Sequence, residues 1–93
     1  MSWQECALVF APDHPSAAGH FPGNPIVPGA LLLDAVLQAV AEDTAVTIRS
    51  AKFLRPVRHG DALRLRWQES GPAQWRFECV APDGVALSGS VAT

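Results

Sequence analysis

The chain has 93 residues, 48% of them hydrophobic, with seven basic and nine acidic side chains and a formal charge of −2. That length accommodates one core and not two, so a single domain spanning 1–93 is expected, and the composition is that of a folded chain, not a disordered one. The negative balance excludes general nucleic-acid binding, which depends on neutralising many phosphates. Cys6 and Cys79 lie far apart, with no CxxC or Cys/His spacing, so neither a zinc site nor a disulfide framework is expected. Both fall in strand-like stretches and read as buried structural thiols.

In chain order, the N-terminal MSWQECALVF lacks the basic region and long apolar stretch of a signal peptide, and no segment is apolar enough to span a bilayer. A cytoplasmic protein is the expectation. ECALVF, residues 5–10, suits a first strand. The next nineteen residues, APDHPSAAGHFPGNPIVPG, contain five prolines and three glycines. No regular element survives that density, so 11–27 reads as a loop or set of turns, and long irregular stretches in small domains tend to carry function. Pro28 suits the first position of a helix running to about Ala41. Apolar residues occupy every side of ALLLDAVLQAVA, which predicts a helix buried all round.

Beyond Glu42 and Asp43, TAVTIRSAKFLRPV reads as a long strand, RHGD as a turn and ALRLRWQES as a strand of period two. GPAQ is a turn, QWRFECVA a strand, APDG a turn and VALSGSVAT the last strand. The expected architecture is α+β: a strand, a loop, one helix and a four-strand antiparallel meander curved around that helix.

Asp34 and Gln38 are the only polar side chains of the helix, and a spacing of four puts them on one face. A carboxyl in such a helix loses hydration, which favours the neutral, proton-donating form, and Gln38 is placed to orient it. The plainer alternative is a structural pair at a solvent edge. His20, set among Gly and Pro turns, suits a proton acceptor at neutral pH, although a loop histidine is more often a surface residue. His14 and His59 take that surface reading. Gly29 offers an uncapped N–H at a helix start, where an oxyanion is stabilised. Base, acid and oxyanion donor together suit proton abstraction α to a carbonyl followed by loss of a β-hydroxyl.

All seven basic residues lie in the second half of the chain. They read either as a solvated sheet face or as a docking patch for an acidic partner.

GHFPGNPIVPGALLLDAVLQ resembles the block GHFPG-x-P-x-x-PG that leads into the central helix of the hotdog-fold β-hydroxyacyl-acyl carrier protein dehydratases. FLRPVRHGDALRL is similar to their Pro-Val…Gly-Asp strand-turn-strand segment, so the resemblance runs from about Asp13 to Trp67. It compares best with compact, aspartate-bearing members attached to specialised lipid or aryl polyene pathways. The resemblance implies that His20 is the catalytic histidine, Asp34 its acidic partner, Gln38 the supporting amide and Gly29 the residue whose N–H holds the thioester carbonyl. It also implies edge-to-edge pairing into a homodimer or a heterodimer with another hotdog subunit, histidine and acid coming from different chains. The substrate would be a (3R)-hydroxyacyl group on acyl carrier protein, its phosphopantetheine arriving with the substrate, with no metal or other cofactor. Arg49, Lys52, Arg55 and Arg58 then become the expected carrier-protein dock. A thioesterase on the same fold and a non-catalytic subunit that binds acyl carrier protein are the rival readings.

Overall fold

The computed structural model describes residues 3–10, 26–41 and 45–93. Its elements are β1 (Gln4–Leu8), α1 (Gly29–Ala41), β2 (Thr47–Phe53), β3 (Leu63–Gly71), β4 (Gln74–Ala81) and β5 (Gly84–Ala92). The order of elements is the one expected from the sequence. Most of the predicted 11–27 loop, including His14 and His20, lies outside the described residues.

The five strands form one antiparallel sheet in the order β1-β3-β4-β5-β2. This corrects the expected four-strand meander. Strands β3, β4 and β5 are consecutive neighbours, but β2 pairs with β5 instead of β3, and β1 takes the free side of β3. The physical reason lies at the exit of β2, which is also shorter than the expected strand. Leu54 N donates to Ala86 O at 2.8 Å, and the Arg55 guanidinium donates from Nη1 to Asp83 O at 2.6 Å and from Nε to Val85 O at 3.2 Å. These bonds tie the end of β2 to the β4–β5 turn. Pro56 follows, with no N–H to continue a ladder. The RHGD turn forms as expected: Arg58 N donates to Asp61 Oδ2 at 2.9 Å, and Gly60 takes a left-handed φ of 91° that favours glycine.

Alternation sorts the sheet into two faces. Leu63 and Leu65 of β3, and Phe77 and Cys79 of β4, turn inward and are buried. A register shift between Cys79 and Val80 breaks the alternation opposite β5, and Ala86 and Leu87 are both fully buried there. The outer face carries Glu5, Arg66 and Glu78 as cross-strand neighbours, with Arg66 3.3 Å from the Glu5 carboxylate and 3.8 Å from that of Glu78. Trp3 lies against this row, with the Arg66 guanidinium 4.7 Å from its ring centroid.

The helix is not buried all round within the chain. Leu32 and Val36 are buried against the sheet, Leu31, Leu33, Ala35 and Leu37 pack partly against the core, and Ala30, Asp34 and Gln38 are exposed. Residues four apart stack on one helix face, so these three form a single open stripe. The sheet, an open layer, covers one side of the helix and leaves this stripe to solvent.

Candidate functional site

Pro28 precedes the helix, and its carbonyl accepts from Leu31 N at 3.0 Å and Leu32 N at 3.1 Å. Pro28 thus occupies the N-cap position, one residue earlier than the sequence suggested. The N–H groups of Gly29 and Ala30 come before the first bonds of the helical ladder, at the positive end of the helix dipole. The segment before the helix is fixed by Val27 N donating to Val57 O at 2.7 Å and by an antiparallel bridge between Ile26 and Arg58.

These contacts frame a groove of about 410 Å³ at the start of α1, lined by Ile26, Val27, Gly29 and Leu32 on one side and by residues 53–57 on the other. The lining is mainly apolar, suited to a hydrocarbon chain. A side chain at position 29 would crowd the Phe53 ring. A Cβ there would sit 3.0 Å from Cε1 and 3.2 Å from Cζ of Phe53.

Five residues along the helix, the Asp34 carboxylate accepts a hydrogen bond from Gln38 Nε2 at 3.0 Å. The pairing expected from the i, i+4 spacing is therefore present. The burial expected for Asp34 is not provided within one chain, because both side chains are exposed. Five residues correspond to about 7.5 Å along the axis and about 140° around it. Gly29 and Asp34 of one helix therefore serve different sides of it.

The basic residues do not share one surface task. Arg55 is engaged by the β4–β5 turn, where its Nη1 also lies 3.5 Å from Asp83 Oδ2, and Arg66 is held between two glutamates. Arg49, Lys52 and Arg58 are exposed. Of the cysteines, Cys79 is buried as expected and Cys6, on the edge strand β1, is exposed. Burial pushes the Cys79 thiol up from 9.0 to about 11, which makes it unreactive near neutral pH. Among the described residues there is no cluster of three or more His, Cys, Asp or Glu side chains able to hold a metal ion, and no helix long and apolar enough to cross a membrane.

Sequence reasoning missed Phe53 and Leu54, which line the groove and are 52% and 49% exposed. The available signal was a pair of large apolar residues that interrupts the alternation of a strand just before Arg55-Pro56. A second hollow, of about 420 Å³, opens on the outer sheet face between Trp3, Arg76 and the serines of β5. It shares no residue with the groove at Gly29.

Residues 2–90 match the ApeI-like family, described as ApeI dehydratase. A 3-hydroxyacyl-[acyl-carrier-protein] dehydratase FabZ from Gluconacetobacter diazotrophicus is 34% identical over 93 positions, covering 82% of this chain and 58% of that protein. Its counterpart from Thermomicrobium roseum is 44% identical over 68 positions, covering 60% of this chain and 46% of that one. The chain thus spans little more than half the length of the curated relatives it matches. Among solved structures, the dehydratase heterocomplex ApeI:P from Xenorhabdus doucetiae aligns over 97% of this chain and 85% of its own, with a TM-score of 0.79 and 23% identity. An uncharacterized protein from Erwinia carotovora subsp. atroseptica aligns over 97% of this chain and 81% of its own, with a TM-score of 0.77 and 30% identity. With these likenesses, the sheet and the helix α1 packed on it are a hotdog fold.

Proposed function

Since the chain belongs to the ApeI-like dehydratase family, we propose that it dehydrates a (3R)-hydroxyacyl thioester carried on acyl carrier protein to the trans-2-enoyl thioester. The observation that carries this reading is the Asp34–Gln38 pair, a carboxylate held at 3.0 Å on the open face of the central helix of a dehydratase fold. His20 removes the C2 proton, which the thioester carbonyl acidifies. The Gly29 N–H stabilises the enolate-like oxygen at the helix start. Asp34 protonates the departing 3-hydroxyl, the C3–O bond breaks, water leaves and C2=C3 forms. The thioester itself activates the substrate, so the reaction calls for no redox centre, Lewis acid or organic cofactor beyond the phosphopantetheine of the carrier.

The active unit in this reading is a dimer, and three features support it. The β2 edge strand is exposed along its whole length, with Ile48 41% exposed. The open Ala30–Asp34–Gln38 stripe is the part of the helix the sheet does not cover. The angular separation of Gly29 and Asp34 fits a site that takes Gly29 and His20 from one chain and Asp34 from the other. A second chain over the stripe supplies the desolvation that one chain lacks. The partner is another copy or a second hotdog subunit, and the heterocomplex named for the Xenorhabdus doucetiae relative gives the latter a precedent. Arg49, Lys52 and Arg58 are the exposed cations offered to the acidic carrier, in fatty acid or aryl polyene biosynthesis.

The test is incubation with a 3-hydroxyacyl thioester while enoyl absorbance and free thiol are followed together. Enoyl formation without thiol release is expected. Thiol release without enoyl product would replace the reading with a thioesterase. Neither product, from this chain alone or with a hotdog partner, would replace it with a non-catalytic subunit.

A further inference from the structure

We propose that Phe53 is a positioning residue that walls water away from the Gly29 N–H and sets the attitude of the thioester carbonyl bound there. The proposal rests on the dehydratase reading and extends it to a residue outside the acid, base and oxyanion donor.

The backbone that carries the ring is fixed on both sides of Phe53. Phe53 is the last residue of β2, in register with Leu87 of β5. The next N–H, that of Leu54, is bonded to Ala86 O, and two residues on the Arg55 guanidinium is bonded to Asp83 O and Val85 O. The ring edge meets Gly29, with Cε1, Cζ and Cδ1 within 3.0–3.5 Å of where a Cβ would stand. Yet Phe53 is 52% exposed and the ring borders the groove. An aromatic ring on so well tied a backbone, half open and against the first residue of a helix, contributes little as core. At that contact it would stand in the place of water beside the Gly29 N–H, which precedes the helical ladder. A fixed, poorly hydrated donor stabilises a developing oxyanion more strongly than a hydrated one.

The same wall bears on which reaction a thioester undergoes. Hydrolysis requires water to bond to the carbonyl carbon as the C–S bond breaks and the thiol leaves with a proton. Dehydration leaves the C–S bond intact. A ring over the carbonyl site obstructs the first and leaves C2 and C3 free for the second. The contact also makes position 29 sensitive to a side chain. Alanine keeps the N–H, so its defect would come from a methyl pressed into the Phe53 ring.

The experiment uses the whole chain and a 3-hydroxybutyryl thioester of N-acetylcysteamine, with Phe53→Ala, Phe53→Leu, Gly29→Ala and the Gly29→Ala/Phe53→Ala double variant. Phe53→Ala should lower kcat for enoyl formation by about tenfold or more with a smaller change in KM, and raise thiol release relative to enoyl product by a similar factor. Phe53→Leu should recover most of both. Gly29→Ala should cost much less in the Phe53→Ala background than in the wild type. Amide exchange at Gly29, read by NMR without substrate, should quicken in Phe53→Ala. An unchanged partition together with unchanged Gly29 exchange would overturn the proposal, as would a Gly29→Ala defect of equal size in both backgrounds. Absence of enoyl product from the wild type, both alone and with a hotdog partner, would strike the dehydratase reading instead. The exchange measurement would still decide whether the ring shields Gly29.

Discussion

Replacing Gly89 with alanine places a methyl group where the sheet has no room for one. It would lie 2.7 Å from Phe77 Cζ, 3.1 Å from Ala51 Cα and well inside contact distance of the Ser50 carbonyl oxygen. Phe77 is 1% exposed and locked in the core, so the ring cannot yield. The yielding element is β2, an edge strand that among the described residues has a ladder with β5 alone. Overpacking of this kind costs about 1–3 kcal/mol, and the reduced freedom of the unfolded alanine chain returns about 0.4–1 kcal/mol. Two of the three collisions involve backbone atoms, which puts the net loss near the upper part of the range, about 2 kcal/mol. For a chain of this size that corresponds to a Tm about 8–16 °C lower. Gly71→Ala is the internal control, because its methyl would meet only the Gln74 side chain, at 3.7 and 3.8 Å, and should change stability by less than about 0.5 kcal/mol. Urea unfolding at one fixed protein concentration, followed by the fluorescence of Trp67 and Trp75, measures both. If Gly89→Ala unfolds at the same midpoint as Gly71→Ala, the close approach of β2 to β5 is wrong, and with it the placement of Phe53 over Gly29.

Asp34→Asn keeps an oxygen to accept the Gln38 hydrogen bond at an exposed position, so stability should change by less than about 0.5 kcal/mol. Enoyl formation should fall by about 10²–10⁴-fold, the usual contribution of a general acid, and unaltered turnover would remove Asp34 from the mechanism. Mixing His20→Ala chains with Asp34→Asn chains should restore about a quarter of wild-type activity if two copies share each site, since half the dimers then hold one intact site of two. No recovery, in a mixture shown to exchange subunits, would rule out that shared geometry. Cys79 governs an alkaline limb. Its folded-state pKa of about 11 exceeds the ordinary 9.0, so the unfolded chain loses a proton that the folded chain keeps. The stability tied to this thiol is complete below pH 9 and is lost as the pH rises to about 11. Cys79→Ala should start lower in stability but decline less across that window, and parallel curves would refute the assignment.

The sequence by itself determined the elements and the polar pair on the helix. Period-two alternation marked β3, because a strand that buries one face must alternate, and the structure buries its Leu63 and Leu65. The spacing of four between Asp34 and Gln38 determined their hydrogen bond, because helical geometry is local. Pairing of β2 with β5, exposure of the Ala30–Asp34–Gln38 stripe and the meeting of Phe53 with Gly29 were decided only by tertiary structure. Each depends on where distant segments cross: Arg55 reaching the turn at Asp83, a sheet covering one side of a helix, and a strand end 24 residues after a glycine coming to rest on it. Hydrophobic pattern records how much of a residue must leave water, but not which neighbour removes it. An apolar helix therefore read as buried on every side, while the fold left its acid facing outward.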